Sequence, residues 1–266
     1  MSRYSVFEGI SIECGNRIAI VTMEQPDTRN VISDDPLMTD LTRACHMLND
    51  DPNVGVVVIT GRGSAFSAGG NIDKMFRREG MFAGPSYAIA HEYRVGVQSL
   101  IKAIQGLTKV SIAAINGPAI GAGLDLALAC DLRIASDTAK MGATFINLGL
   151  IPGDGGSWLL PRAVGHQRAA ELIFTGRIID AHEAVSLGVV LSVHPSAGLM
   201  EAATDLARMI ATKPPLALLY SKELLRHEAS DLDDVMAKAA LFQAILHGTE
   251  DHYDAMQTIM SKKSRS

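Results

Sequence analysis

Two aspartates lie in apolar, glycine-rich surroundings in which a carboxyl group could transfer protons. Asp154 lies within the segment IPGDGG (151–156), and Asp125 lies within the Leu/Ala-rich segment 122–129. Burial in apolar surroundings disfavours the charged form, so we expect both carboxyl groups to have raised pKa values. A carboxyl group whose pKa approaches neutrality suits general acid–base chemistry at carbon.

Each aspartate also has a structural interpretation. Asp154 could cap the helix that is expected to begin near Gly156. Asp125 could be the buried ion-pair partner of Arg133 or Arg162. The residues alone leave both alternatives open.

Two glycine-rich turns, each after a predicted buried strand, could supply hydrogen-bond donors. They are AGG (68–70) and GAG (121–123), and the second leads into a Leu/Ala-rich helical pattern. The first peptide N–H groups of a helix lack partners within the helix and lie at the positive end of its dipole. Two such turns in one domain could direct a pair of N–H donors to one carbonyl oxygen, forming an oxyanion hole. A plain strand–helix connection is the alternative for each turn.

The elements that must hold these groups alternate between strands and helices. Apolar runs predict strands at 11–14, 17–23, 54–60, 110–115 and 131–135, and helical patterns predict helices at 36–51, 72–76, 86–105 and from 156. Asp35 before Pro36 is a favourable helix start. This alternation predicts an α/β fold with a mainly parallel sheet.

The C-terminal part of the chain has a different pattern. Beyond about residue 197 the strand pattern disappears, and amphipathic helices are predicted at 197–212, 216–226 and 232–246. These helices could form a cap on the core or an oligomer interface. We favour an interface, because their apolar stripes are numerous for one small layer.

Composition argues against several classes of function. The chain has 266 residues and a formal net charge of −5, which gives no general attraction to nucleic acid or to an anionic membrane. Three cysteines without paired spacing fit a reducing compartment, and eight scattered histidines form no H-E-x-x-H motif. We find no signal peptide and no apolar run of membrane-spanning length. We therefore expect a cytoplasmic protein without a bound metal.

Four segments together resemble the crotonase, or enoyl-CoA hydratase/isomerase, superfamily. They are FSAGGNIDKM (66–75), IAAINGPAIGAGLDLALACD (112–131), GLIPGDGGSWLLPRAVG (149–165) and FTGRIIDAHEAVSLGVV (174–190). The resemblance implies a ββα-spiral core, residues 1–196, followed by a helical oligomerisation region, residues 197–266, that builds a homotrimer or a dimer of trimers. It also implies an acyl-CoA thioester as substrate, with coenzyme A as part of that substrate and no separate cofactor.

The resemblance assigns roles to the two glycine-rich turns. By position, the peptide N–H groups of Gly70 and Ala122 would form an oxyanion hole that holds the thioester carbonyl and stabilises its enolate. The family usually has glycine at the position of Ala122, and the substitution leaves the backbone donor unchanged. The expected contacts to CoA or substrate are made by Arg29, Ala68, Gly69, Ile72, Gly121, Phe145 and Trp158.

The acid–base residues depart from those of a typical hydratase of this family, which uses two glutamates. The first corresponds to Asp125, which is one methylene shorter, and the second to Phe145, which cannot transfer a proton. Asp154 takes a position where hydratases usually have a small residue. Family members that isomerise dienoyl-CoA or dehalogenate an aromatic ring are similar in having aspartate there. The resemblance thus implies a hydratase/isomerase-type enzyme with catalytic residues Asp154, as the principal acid–base residue, and Asp125, as its helper or orienter.

Several alternatives stay open at this stage. The acid pattern favours double-bond isomerisation, or hydration supported by Asp154. Dehalogenation would use Asp154 as a nucleophile. Diketone C–C hydrolysis would need a histidine near the pocket, and His91 is the candidate for it. A non-catalytic acyl-CoA-binding protein would explain Phe145 but not Asp154.

Overall fold

The computed structural model describes residues 4, 6–33, 36–226, 232–247 and 249–254. The strands are β1 (Ile10–Gly15), β2 (Ile18–Met23), β3 (Val56–Gly61), β4 (Val110–Ile115), β5 (Ala119–Ile120), β6 (Leu132–Ser136), β7 (Lys140–Gly142), β8 (Ile179–Asp180) and β9 (Val193–His194). The helices are α1 (Pro36–Asn49), α2 (Ile72–Arg77), α3 (Ser86–Val95), α4 (Val97–Gln105), α5 (Ala122–Ala129), α6 (Gly156–Val164), α7 (His166–Thr175), α8 (Ala181–Leu187), α9 (Leu199–Ala211), α10 (Pro215–Arg226) and α11 (Leu232–His247).

The main sheet has the strand order β1-β2-β3-β4-β6-β9. Strands β1 and β2 pair antiparallel, and all the other neighbours in this sheet pair parallel. The predicted α/β class and the mainly parallel sheet are therefore confirmed. A smaller sheet, β5-β7-β8, was not predicted, because β5 and β8 are two residues long and leave no periodic pattern in the sequence.

Helices cover both faces of the main sheet, as a buried parallel sheet requires. In β3, Val57 and Ile59 belong to the larger core cluster, which also holds buried side chains of α1, α4 and α5. Val56 and Val58 point the opposite way and pack against α9. The period of two along the strand thus divides one run of buried residues between two layers.

Helix α9 forms the second of these layers. Its buried residues follow a spacing of four and so form one stripe along the helix: Leu199, Ala203, Ala207 and Ala211. Alanine at three of these positions lets the helix approach the sheet closely. Helix α9 thus uses this apolar stripe within the chain, and the predicted oligomer interface in residues 197–266 stays a prediction.

Helices α10 and α11 follow α9 along the chain. Asp131 fastens α10 to the core, because its two carboxylate oxygens lie 2.7 Å from Lys222 Nζ and 2.6 Å from Arg226 Nη2. The rings of Tyr220 and Phe242 stack at 4.2 Å and join α10 to α11. Large apolar side chains stay exposed on both helices, including Leu225, Met236 and Leu241.

The predicted helix at 86–105 is wrong in one respect, since it is broken at Gly96 into α3 and α4. Gly96 has φ −91° and ψ −108°, which is not helical. A Cβ built there would lie 2.8 Å from the Glu92 carbonyl oxygen and 2.9 Å from Met38 Cε, so glycine permits the close approach to α1. Helix α1 begins at Pro36 as expected, while Asp35 lies outside the described residues. Among the helices that the structure describes, none has the length and apolar composition to cross a membrane.

Candidate active site

The two glycine-rich turns lie side by side, because the chain segments before them pair. Ser67 and Ala119 form a parallel bridge, and the Ile120 N–H donates to the Ser67 carbonyl oxygen at 3.0 Å. Gly69 has φ +85°, and a Cβ built on it would overlap the Ile120 carbonyl oxygen and lie 3.3 Å from the Ala122 nitrogen. Glycine at position 69 is therefore what allows one turn to reach the other.

Two peptide N–H groups in these turns face a cavity without a protein acceptor. Within the described ranges, no acceptor is found for the N–H of Gly70 or of Ala122, and both residues line the cavity. Their neighbours are engaged: the Gly69 N–H donates to Ser67 Oγ at 3.1 Å, and the Gly121 N–H donates to the Gly142 carbonyl oxygen at 2.9 Å. Ala122 is the first residue of α5, so its N–H lies at the positive end of that helix.

Asp154 lies on the wall of the same cavity, in the loop before α6. Asp154 is 5% exposed, and its Oδ1 has no hydrogen-bond partner in the described part of the chain. Burial raises the pKa of Asp154 to about 6. The capping interpretation is wrong, because Gly155 is the N-cap of α6 and no side chain caps this helix.

Asp125 is fully buried behind the cavity wall and is not among the residues that line the cavity. Its Oδ2 accepts the Gly156 N–H at 3.0 Å, and burial, with the nearby charge of Asp154, raises its pKa well above the ordinary range. The ion-pair interpretation is wrong. The guanidinium group of Arg133 donates to the carbonyl oxygens of Cys130 and Val189, while that of Arg162 lies 3.6 Å from the centre of the Trp158 ring.

The rest of the cavity wall is mainly apolar. Phe145 lies in the 3₁₀ turn Thr144–Leu148, and its ring faces Gly121 at van der Waals distance from where a Cβ would be. Four residues that the sequence assigned to CoA or substrate do line the cavity: Ala68, Ile72, Gly121 and Phe145. Gly69 is buried beside it and sets the approach of the two turns.

Three other predicted residues lie away from this cavity. Trp158 is 40% exposed and lines a second cavity on α6, which shares Asp154 with the first. Arg29 is exposed, and its carbonyl oxygen accepts the Ala68 N–H at 2.9 Å. His91 is exposed on α3 and does not line the cavity, so the candidate for diketone hydrolysis lies in the wrong place.

Sequence reasoning missed two polar side chains close to Asp154. Tyr93 lines the cavity, and burial together with the charge of Asp154 raises its pKa. Gln98 donates from Nε2 to the Gly153 carbonyl oxygen at 2.9 Å. Both residues lie in the stretch that was expected to be one helix, and no local motif marks either of them.

Comparison with known proteins identifies the class of this chain. Residues 13–263 match the protein family described as Enoyl-CoA hydratase/isomerase. The chain therefore belongs to the enoyl-CoA hydratase/isomerase family, and it is an acyl-CoA enzyme of the lyase or isomerase type. The predicted crotonase-type fold is confirmed by the solved structures of this family.

Individual relatives cover almost the whole chain. Crotonyl-CoA hydratase of Syntrophomonas wolfei is 32% identical over 97% of this chain and 96% of its own length. Short-chain-enoyl-CoA hydratase of Clostridium acetobutylicum is 32% identical over 96% of this chain and 95% of its own. The crystal structure of enoyl-CoA hydratase from Bacillus anthracis is 31% identical and superposes with a TM-score of 0.89, over 96% of this chain and 97% of the other.

Proposed function

We propose that the enzyme forms the enolate of an acyl-CoA thioester and uses Asp154 to move a proton on its carbon skeleton. The observation that carries this proposal is the placement of three groups on one cavity. The N–H groups of Gly70 and Ala122 lack protein acceptors within the described residues, and Asp154 has a buried oxygen without a partner there. Two such donors can stabilise an enolate oxygen, and a carboxylate can remove the proton whose loss forms the enolate.

The donors stabilise the charge that develops during the reaction. As a proton leaves the α-carbon, its electron pair moves into the thioester carbonyl and the oxygen becomes negative. Two fixed N–H groups, one at the start of α5, would meet this oxygen without having to reorient. Removing one such donor typically raises the barrier by about 3–4 kcal/mol.

Asp154 has the protonation behaviour that such a reaction requires. Its pKa of about 6 leaves the carboxylate deprotonated at neutral pH, yet basic enough to take a proton. The protonated carboxyl group then returns a proton to the far end of the conjugated system. The double bond shifts, no atom is gained or lost, and Asp154 is regenerated.

Isomerisation is the reaction that this arrangement supports best, since it needs one acid–base residue. Hydration by the two-carboxylate route would need a second carboxyl group, and Phe145 on the cavity wall supplies none. Hydration supported by Asp154 is the second candidate. It is favoured by the relatives named as hydratases, which are 32% identical to this chain.

The remaining expectations from the sequence belong to this proposal. Ala68, Gly69 and Ile72 would contact the pantetheine and adenine of CoA, and Arg29 would lie near its phosphates. The proposed reaction uses coenzyme A as part of the substrate. The exposed apolar side chains of α10 and α11 support an oligomer interface within residues 197–266, and the homotrimer or dimer of trimers follows from the resemblance. The cytoplasmic location stays a prediction.

Parallel absorbance assays on two thioesters test the proposed function. Crotonyl-CoA loses its enone absorbance when water adds, whereas a 3,5-dienoyl-CoA gains conjugation with the carbonyl when its double bonds shift. We expect activity on the dienoyl-CoA that Asp154→Asn abolishes without loss of acyl-CoA binding. Rapid loss of the crotonyl-CoA signal would establish hydration instead. Inactivity on both thioesters, with binding retained, would contradict the proposal and favour a binding protein.

A further inference from the structure

Asp154 is held in place by its loop, because its own side chain makes no hydrogen bond in the described part of the chain. We propose that Gln98 and Asp125 are positioning residues that fix this loop from two sides and so keep Asp154 at the cavity wall. The inference rests on the proposed function, in which Asp154 is the acid–base residue. It gives Gln98 a role, and of the two roles expected for Asp125, helper or orienter of Asp154, it selects the second.

Gln98 holds the loop on the side of α4. Its Nε2 donates to the carbonyl oxygen of Gly153, the residue directly before Asp154, at 2.9 Å. Gly153 is also held by its own N–H, which donates to the Ile151 carbonyl oxygen at 2.7 Å. Because α4 starts afresh at Val97 after the break at Gly96, Gln98 lies in its first turn, next to the cavity-lining Val97.

Asp125 holds the loop on the side of α5. Its Oδ2 accepts the N–H of Gly156, two residues after Asp154, at 3.0 Å. A Cβ built on Gly156 would overlap the Asp125 carboxyl group, so this position needs glycine for the contact. The two hydrogen bonds therefore bracket Asp154 within four residues, and each comes from a different helix.

The surroundings of Asp125 fit support better than proton transfer. Its side chain is fully buried and does not line the cavity, so it does not reach a substrate bound there. Its hydrogen bond needs an acceptor oxygen, and an amide oxygen can serve as well as a carboxylate. Asparagine at position 125 would keep this acceptor, whereas it cannot transfer a proton.

A matched pair of glutamines tests the role of Gln98. Gln105 lies on the same helix, but its Nε2 donates to the Ala129 carbonyl oxygen at 2.8 Å and not to a residue of the Asp154 loop. We expect Gln98→Leu to lower kcat on the dienoyl-CoA about tenfold, because small misplacements of a reacting group reduce rates strongly. We expect KM to change less than kcat, and Gln105→Leu to stay close to wild type. Equal kcat values for the two variants would overturn the role of Gln98.

Two substitutions test Asp125. We expect Asp125→Asn to retain kcat within about tenfold of wild type and to keep the acid limb of its pH profile, since the hydrogen-bond acceptor remains. Asp125→Ala removes the acceptor and should lower kcat about tenfold further, with the folded state checked by circular dichroism. If Asp125→Asn is as inactive as Asp154→Asn, Asp125 transfers protons and its positioning role is overturned, even where Asp125→Ala does not fold. Full activity in Asp154→Asn would instead overturn the proposed function and this inference with it.

Discussion

The two sides of the cavity present different groups, backbone amides on one side and a side-chain carboxyl group on the other. The amide side, Gly70 and Ala122, consists of backbone groups fixed by the pairing of Ser67 with Ala119 and by the start of α5. The carboxyl side, Asp154, is a side chain on a loop held by hydrogen bonds from two helices. A side-chain substitution on the amide side leaves the N–H donors in place, whereas a substitution of Asp154 on the carboxyl side removes the acid–base group.

The departures from the family pattern that the sequence resemblance implies, position by position, follow that division. Alanine at position 122 replaces the usual glycine on the amide side and leaves the N–H donor in place. On the carboxyl side, aspartate replaces the first glutamate, Phe145 replaces the second, and Asp154 replaces a small residue. In the proposed function, carbonyl binding depends on the backbone and proton transfer on side chains, so we expect substitutions to affect the two separately.

The largest effect is expected from removing the carboxyl side. Asp154→Asn keeps the shape of the side chain but cannot accept a proton, so kcat on the dienoyl-CoA should fall about 10³-fold. Acyl-CoA binding, measured by calorimetry, should stay within a few-fold of wild type. A variant that keeps a tenth or more of the wild-type kcat would show that the proton travels through another group.

A backbone substitution tests the amide side. Ala122→Pro removes the N–H donor at the first position of α5, where proline is tolerated and no protein hydrogen bond is lost among the described residues. We expect kcat to fall by about 10²-fold or more. The control is Ala122→Gly, which keeps the donor and should retain activity. Equal losses in the two variants would mean that the side chain at position 122, not its N–H, is what matters.

The buried carboxyl group of Asp154 should also lower the free energy of unfolding. The pKa of Asp154 in the folded state is about 6, above the usual 3.8, so ionisation of this side chain carries a free-energy penalty for folding. The penalty is absent below pH 3.8, grows between pH 3.8 and pH 6 and is constant above pH 6. Asp154→Asn removes the penalty and should raise the free energy of unfolding by about 3 kcal/mol at pH 7.5, and by about half of that at pH 5. Urea unfolding at both pH values measures the gain. A gain that is independent of pH would contradict the assignment.

The smallest expected effect is a gradual change of kcat/KM with pH. The base form of Asp154 is needed, so kcat/KM should be flat above pH 6 and fall about tenfold for each pH unit below it. Replacing Gln98 should shift this limb, while replacing Gln105 should not. A profile that rises towards low pH would mean that Asp154 acts in its protonated form.

The sequence predicts the parts of this site that are local. Each of three such parts is one continuous segment of the chain. The composition of the segment indicates where strand β4 ends, that the turn at 121–123 allows a close approach, and that Asp154 is a buried acid. The contact between Gln98 and Gly153 joins residues 55 positions apart, and nothing local to either residue indicates it. The break at Gly96 was not predicted either, and one of the contacts that favour glycine there is with Met38, on a helix remote in sequence. The capping interpretation of Asp154 is excluded by the start of α6, where Gly155 is the N-cap and no side chain caps the helix.

Deuterium exchange at the α-carbon of butyryl-CoA tests most directly whether the two sides act on one enolate. This saturated thioester can be neither hydrated nor isomerised, so exchange in D₂O reports only on carbonyl binding and on the base. We expect the wild-type enzyme to incorporate deuterium at the α-carbon and Asp154→Asn and Ala122→Pro not to do so. Binding of butyryl-CoA by the wild-type enzyme without exchange, or exchange by Asp154→Asn at the wild-type rate, would contradict it.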